Sequence, residues 1–149
     1  MANFLTDAYR NSVIGKTSDY SARVDLDTDT LKAIFIDEGT DTGTAADIFM
    51  SGLTSGSRNP TFANAPTLGG VTLGTVAAGV FDANDLTFTG SSVLTGSTTV
   101  EALAVFKFVS VDTDSPFLGY WNSGVTGLPL TPNGGDVTVA WNASGIWKF

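Results

Sequence analysis

From Val71 onward the chain consists of short apolar runs broken every few residues by turn residues, and this punctuation constrains the fold more than any other feature. Val71-Thr72-Leu73 is one such run. Gly79-Val80-Phe81 and Leu86-Thr87-Phe88 flank the polar turn Asp82-Ala83-Asn84-Asp85. Val100 to Val111 is the longest run, and Phe117 to Trp121 follows it after Asp112-Thr113-Asp114-Ser115-Pro116. Leu128 to Leu130 leads into Pro132-Asn133-Gly134-Gly135, where Asn-Gly accepts positive φ and signals a hairpin. Val137-Thr138-Val139-Ala140-Trp141 alternates, with Val137, Val139 and Trp141 on one face, before Asn142-Ala143-Ser144-Gly145 turns the chain into Ile146-Trp147-Lys148-Phe149. Short strands with frequent turns predict a mainly β fold: an antiparallel β-sandwich or barrel-like single domain spanning residues 1–149.

The first 70 residues read differently. Residues 3–14 predict one short N-terminal helix, with Asn3 as N-cap, Leu5, Tyr9 and Val13 in one apolar stripe, and Gly15 as the stop. Leu31 to Ile36 is apolar on both faces, which predicts a central strand. Residues 38–70 form a loop-rich insertion, Thr-, Gly- and Ser-rich at first and carrying Pro60 and Pro66 later. Within it, Ala45 to Leu53 predicts a short helix with Ile48, Phe49 and Leu53 facing inward.

Composition removes whole classes of chemistry. The 149 residues contain no Cys and no His. Disulfide frameworks, thiolate metal sites, His-dependent triads and His-ligated zinc are therefore impossible. The net charge is −8, and the seven basic residues (Lys16, Lys32, Lys107, Lys148, Arg10, Arg23 and Arg58) never adjoin. Phosphate binding draws on clustered cations, so no nucleic-acid partner is expected. No apolar run approaches a membrane span and no secretory signal opens the chain, so no membrane association is expected and synthesis is placed in the cytoplasm. Asn142-Ala143-Ser144 fits a glycosylation sequon that has no meaning without such a signal.

The residues that remain able to do chemistry have simpler uses. Asp25, Asp27 and Asp29 match the opening of a calcium loop, but its sixth position is Thr30 rather than Gly and its twelfth is Ile36 rather than Glu. A solvated turn with no functional metal is expected there. Asp82 with Asp85, or Asp112 with Asp114, are carboxylate pairs of the kind glycoside hydrolysis needs, yet both lie in predicted turns, where Asp favours turn geometry. Trp121, Trp141 and Trp147 offer either a sugar-stacking platform or core packing. No phosphate loop and no nucleophile elbow occurs. No catalytic residue, metal or cofactor is expected, and the chain is not read as an enzyme.

Three segments carry a resemblance: Asp25 to Lys32, Gly79 to Phe88, and Gly127 to Trp141. Together with the opening Asn3-Phe4-Leu5, Tyr9-Arg10 and the ending Gly145-Ile146-Trp147-Lys148-Phe149, they resemble a family of small tailed-bacteriophage virion proteins. The likeness covers most of the chain, is most specific in the final third and is weakest over 38–70. It implies a structural protein located in the virion and made in the host cytoplasm, with no catalytic motif. The leading expectation is a capsid decoration (cement) protein. Its partner would be the major capsid protein or another virion protein, and it would act as a homo-oligomer, with a trimer suited to a symmetry axis. The alternatives are a neck, tail or fibre-base component, or a carbohydrate-binding module contacting the host surface. Large aromatics near both ends mark Phe4, Leu5, Tyr9, Trp147 and Phe149 as candidate assembly contacts. The competing reading is that both ends complete the core, with Trp147 and Phe149 closing a final hairpin.

Overall fold

A computed structural model describes residues 3–13, 24–89, 94 and 98–149. Among the described residues, ten short strands form three antiparallel sheets beside one α-helix, so the fold is mainly β with a short N-terminal helix. The strands are β1 (Phe4–Leu5), β2 (Leu31–Ile36), β3 (Arg58–Asn59), β4 (Thr72–Leu73), β5 (Val80–Asp82), β6 (Leu86–Phe88), β7 (Ala102–Lys107), β8 (Phe117–Trp121), β9 (Val137–Val139) and β10 (Trp147–Lys148). The helix α1 covers Asp7–Val13. Among the described residues no helix is long and apolar enough to cross a membrane.

The largest sheet has the order β1-β8-β7-β2-β3. Six residue pairs join β2 to β7, from Leu31 opposite Lys107 to Ile36 opposite Ala102. Both strands are apolar on both faces because both faces are covered. Leu31, Ala33 and Phe35 of β2, with Leu103 and Val105 of β7, enter one core. Ile34 and Ile36, with Ala102, Ala104 and Phe106, enter the other.

The first core is closed by the two smaller sheets, β10-β5-β4 and β6-β9, which contribute Phe81, Trp147, Leu86, Phe88 and Val139. The result is a sandwich whose second layer is split in two. The second core is closed by the loop-rich segment, through Met50, Leu53 and Ala65 with Phe62 alongside. That segment lays its side chains on the sheet while its backbone forms only 3-10 turns at Met50–Gly52, Ser55–Ser57 and Phe62–Asn64 and the two residues of β3.

Arg58 ties the segment down. Its side chain is almost fully buried, donates to the Leu53 carbonyl and pairs with Asp112 at 2.8 Å. Asp41 accepts from the Thr54 amide at 2.6 Å, and the Thr54 hydroxyl, then that amide, hold its carboxyl below the usual range.

Several sequence expectations are corrected. The N-terminal helix starts at Asp7, because Phe4 and Leu5 pair with Tyr120 and Gly119 of β8 instead. Asn3 is not its N-cap; its side-chain oxygen accepts from the amides of Asn122 and Ser123, both at 3.0 Å, and so fastens β1 to the end of β8. Thr6 caps the helix, accepting from the Tyr9 amide at 3.3 Å while donating to the Phe117 carbonyl at 2.6 Å. Ile14 and the expected stop at Gly15 lie outside the described residues.

Ala45 to Leu53 is not an α-helix; it holds a single 3-10 turn, with Leu53 buried, Phe49 half-buried and Ile48 exposed. The strand expected over Val100 to Val111 ends at Lys107, and Val109 and Val111 are exposed. Asn133-Gly134 makes a turn without a hairpin. Leu130 bridges Val100, whereas β9 pairs with β6. Trp147 likewise pairs with β5 rather than with β9.

Gly145 lets β10 reach β5. Its φ is +95°, and a Cβ there would stand 2.2 Å from Val80 Cγ1. Gly145→Ala is expected to cost at least about 2 kcal/mol, from a left-handed backbone and a clash together. Gly124, with φ +74° and open space around it, supplies the comparison: Gly124→Ala should cost only the backbone part, about 1–2 kcal/mol. Urea midpoints of the two variants check the order.

Candidate functional site

Four of the five candidate contact residues are used inside the fold. Phe4 stacks on Tyr120 with ring centroids 5.2 Å apart and meets Phe117 edge-on at 6.2 Å. Leu5 packs over Gly119, where a Cβ would approach it to 3.0 Å and Trp121 to 2.5 Å. Tyr9 is 1% exposed and Trp147 8%. Trp147 lies between Phe81, stacked at 4.0 Å, and Trp121, stacked at 5.6 Å. Tyr9 and Trp147 are therefore core residues, unavailable to another molecule in this fold. Phe149 differs: it is 50% exposed and touches Tyr9 and Trp147 only edge-on, at 5.8 and 6.5 Å.

Phe149 forms part of a groove of about 540 Å³ between α1, the segment Val24–Leu26 and the β4–β5 hairpin. Its walls are apolar, supplied by Tyr9, Val13, Leu26, Leu73 and Phe81 among others, and Asp25 is the acidic residue on it. The hairpin loop is closed by the Gly74 amide donating to the Val80 carbonyl at 2.8 Å. Leu73 is exposed on the groove, and Val76, further along the same loop, is exposed as well. Val13 and Phe149 are exposed there too. A cluster of exposed large apolar residues on an acidic chain is the surface feature that most calls for a partner. Of the five candidate assembly contacts, Tyr9 and Phe149 line this groove. The sequence marks Val71-Thr72-Leu73 only as a short apolar run, and nothing in it aims that run at α1.

The candidate chemical groups are engaged in turns and pairs. Asp25 Oδ1 accepts from the Asp27 amide at 3.0 Å, and Asp29 Oδ2 accepts from the Asp25 amide at 2.7 Å. Asp29 also pairs with Lys107 at 2.8 Å, tying this turn to the strand beside β2. Among the described residues no three acidic side chains gather to hold a metal. Asp85 accepts from the Trp141 amide at 3.0 Å, and Asp112 is held by Arg58.

Trp121 and Trp141 do share a small groove of about 80 Å³, but the Trp141 ring is pinned by its Nε1 donating to the Asn84 carbonyl at 3.1 Å. On the far side of the large sheet, Tyr120 donates to Glu38 at 2.8 Å. Burial, then that carboxylate, holds its hydroxyl well above the usual phenol range, so it stays a proton donor within the fold. No protein-family model, curated protein or solved structure matches the chain.

Proposed function

We propose that this chain is a structural protein of a tailed-bacteriophage virion, a capsid decoration protein that binds the outside of the assembled head and bridges neighbouring major capsid subunits. The observation that carries the reading is the exposed apolar surface of Leu73, Val13 and Phe149 on the groove, with Val76 exposed further along the β4–β5 loop. It joins the resemblance of residues 25–32, 79–88 and 127–141 to virion proteins. An acidic body gains little from nonspecific charge attraction, so apolar anchors supply the affinity at each site. Many modest contacts on a fixed lattice then add by avidity. A trimer on a symmetry axis would present three such surfaces at once. A glycan-binding module is less well supported: the Trp121–Trp141 groove is about 80 Å³, well below the several hundred Å³ of ordinary ligand sites.

The test uses undecorated heads of the phage that encodes the chain. Wild-type protein should co-sediment with them at a copy number that scales with the capsid subunits, whereas a neck or tail part would be present in few copies. Leu73→Glu combined with Val76→Glu should abolish co-sedimentation. Stability should stay within about 1 kcal/mol of wild type, since each is an exposed position worth about ±0.5 kcal/mol. Undiminished binding by the double variant would overturn the placement of the surface. No binding by the wild type would overturn the decoration role.

A further inference from the structure

Asn133-Gly134 is the one Asn-Gly step among eight asparagines. It closes no hairpin in the fold, so its turn chemistry has no structural partner across a ladder. Asn133, Gly134, Gly135 and Asp136 are all exposed, in a loop anchored at one end by Leu130 on Val100 and at the other by β9 on β6. Asn133 Oδ1 accepts from the Gly135 amide at 3.0 Å. That bond folds the side-chain amide back over the next peptide and polarises its carbonyl. Among the described residues the Gly134 amide donates no hydrogen bond, so its nitrogen is free to approach. Around Gly134 nothing lies within 4 Å of where a Cβ would sit.

We infer that Asn133 is a site of spontaneous deamidation, with water as the only co-reactant. The Gly134 nitrogen forms a bond to Asn133 Cγ, the Cγ–Nδ2 bond breaks, and Nδ2 leaves as ammonia carrying the proton lost from the Gly134 amide. The Gly135 N–H stabilises the oxyanion that develops on Oδ1 as the ring closes. Water then opens the five-membered ring. Attack at the side-chain carbonyl leaves aspartate, and attack at the main-chain carbonyl leaves isoaspartate, whose backbone path is one methylene longer. Either product adds a negative charge to the loop. The isoaspartate also lengthens a segment held at both ends, next to the β9 register.

The fold contains its own control. Asn142 makes the same turn, its Oδ1 accepting from the Ser144 amide at 2.8 Å, but the residue after it is Ala143. A methyl group there hinders the attacking nitrogen, as it does not at Gly134.

Purified full-length chain is incubated in mildly alkaline buffer, folded and in urea, and mapped by peptide mass spectrometry. The folded protein should lose the Asn133 amide, giving both acid products, while the other seven asparagines persist. Loss should be no slower folded than unfolded. Asn133→Ser should silence the site, and Ala143→Gly should make Asn142 reactive. Persistence of Asn133, loss at Asn142 in the wild type at the same rate, or protection of Asn133 by folding would each overturn the inference.

Discussion

Trp147→Ala is expected to lower stability by about 3–5 kcal/mol, the range for truncating a buried aromatic, and to lower Tm by roughly 10 °C. The ring is stacked on both sides, by Phe81 and Trp121, and met edge-on by Tyr9. Its removal opens a cavity at the junction of α1, the large sheet and the β4–β5–β10 sheet, where none of these elements can collapse alone. Phe149→Ala supplies the contrast. With half its surface exposed and two edge-on contacts, it should cost about 1 kcal/mol. Phe149 borders the apolar groove, so its loss should be felt on particle association rather than on melting. A Trp147→Ala protein that melts like wild type would show that the stack contributes no stability.

The sequence made strands legible where apolar character alone decides them. Leu31–Ile36 could only be a strand covered on both faces, and Phe117–Trp121 was bracketed by turns on both sides. Pairing was not legible. Asp82–Asp85 separates two strands that join different sheets, since β5 pairs with β4 and β10 while β6 pairs with β9. Local turn chemistry fixes where a chain bends, not what it meets afterwards.

Alternation also misleads in β8. Strict alternation sets Phe117 and Tyr120 on opposite faces, yet a register shift puts Val105 opposite Gly119 and Phe106 opposite Phe117. The bulge places both rings in the second core and turns Gly119 toward Leu5 and Trp121. The groove was least legible because it lies between elements distant in sequence. Val13 and Leu73 border it, and neither carries a signal for the other.

Deleting residues 2–14 is expected to leave a chain that does not fold, and the reason lies at the edge of the large sheet. β1 covers the outer edge of β8, and the Thr6 amide extends that edge by donating to the Leu118 carbonyl at 3.0 Å. The Thr6 hydroxyl satisfies the Phe117 carbonyl, and Asn3 satisfies two amides beyond β8. Each of these bonds is worth about 1 kcal/mol net. Loss of the Tyr9 ring from the core adds about 3–5 kcal/mol. The total reaches the 5–15 kcal/mol that holds an ordinary domain together. The deletion also uncovers the faces of Tyr120 and Phe117 that Phe4 shields, beside an unpaired strand edge, which favours aggregation. Far-ultraviolet circular dichroism and size exclusion of the truncated protein check this. Aggregated or unfolded material is the expected result. A soluble truncated domain with a cooperative melt would mean that the N-terminal segment is an added arm, free to serve a neighbouring subunit. Single substitutions refine the outcome. Tyr9→Ala should account for most of the loss, since its ring is the most deeply buried of the segment, and Asn3→Ala for little more than the bonds it makes to Asn122 and Ser123.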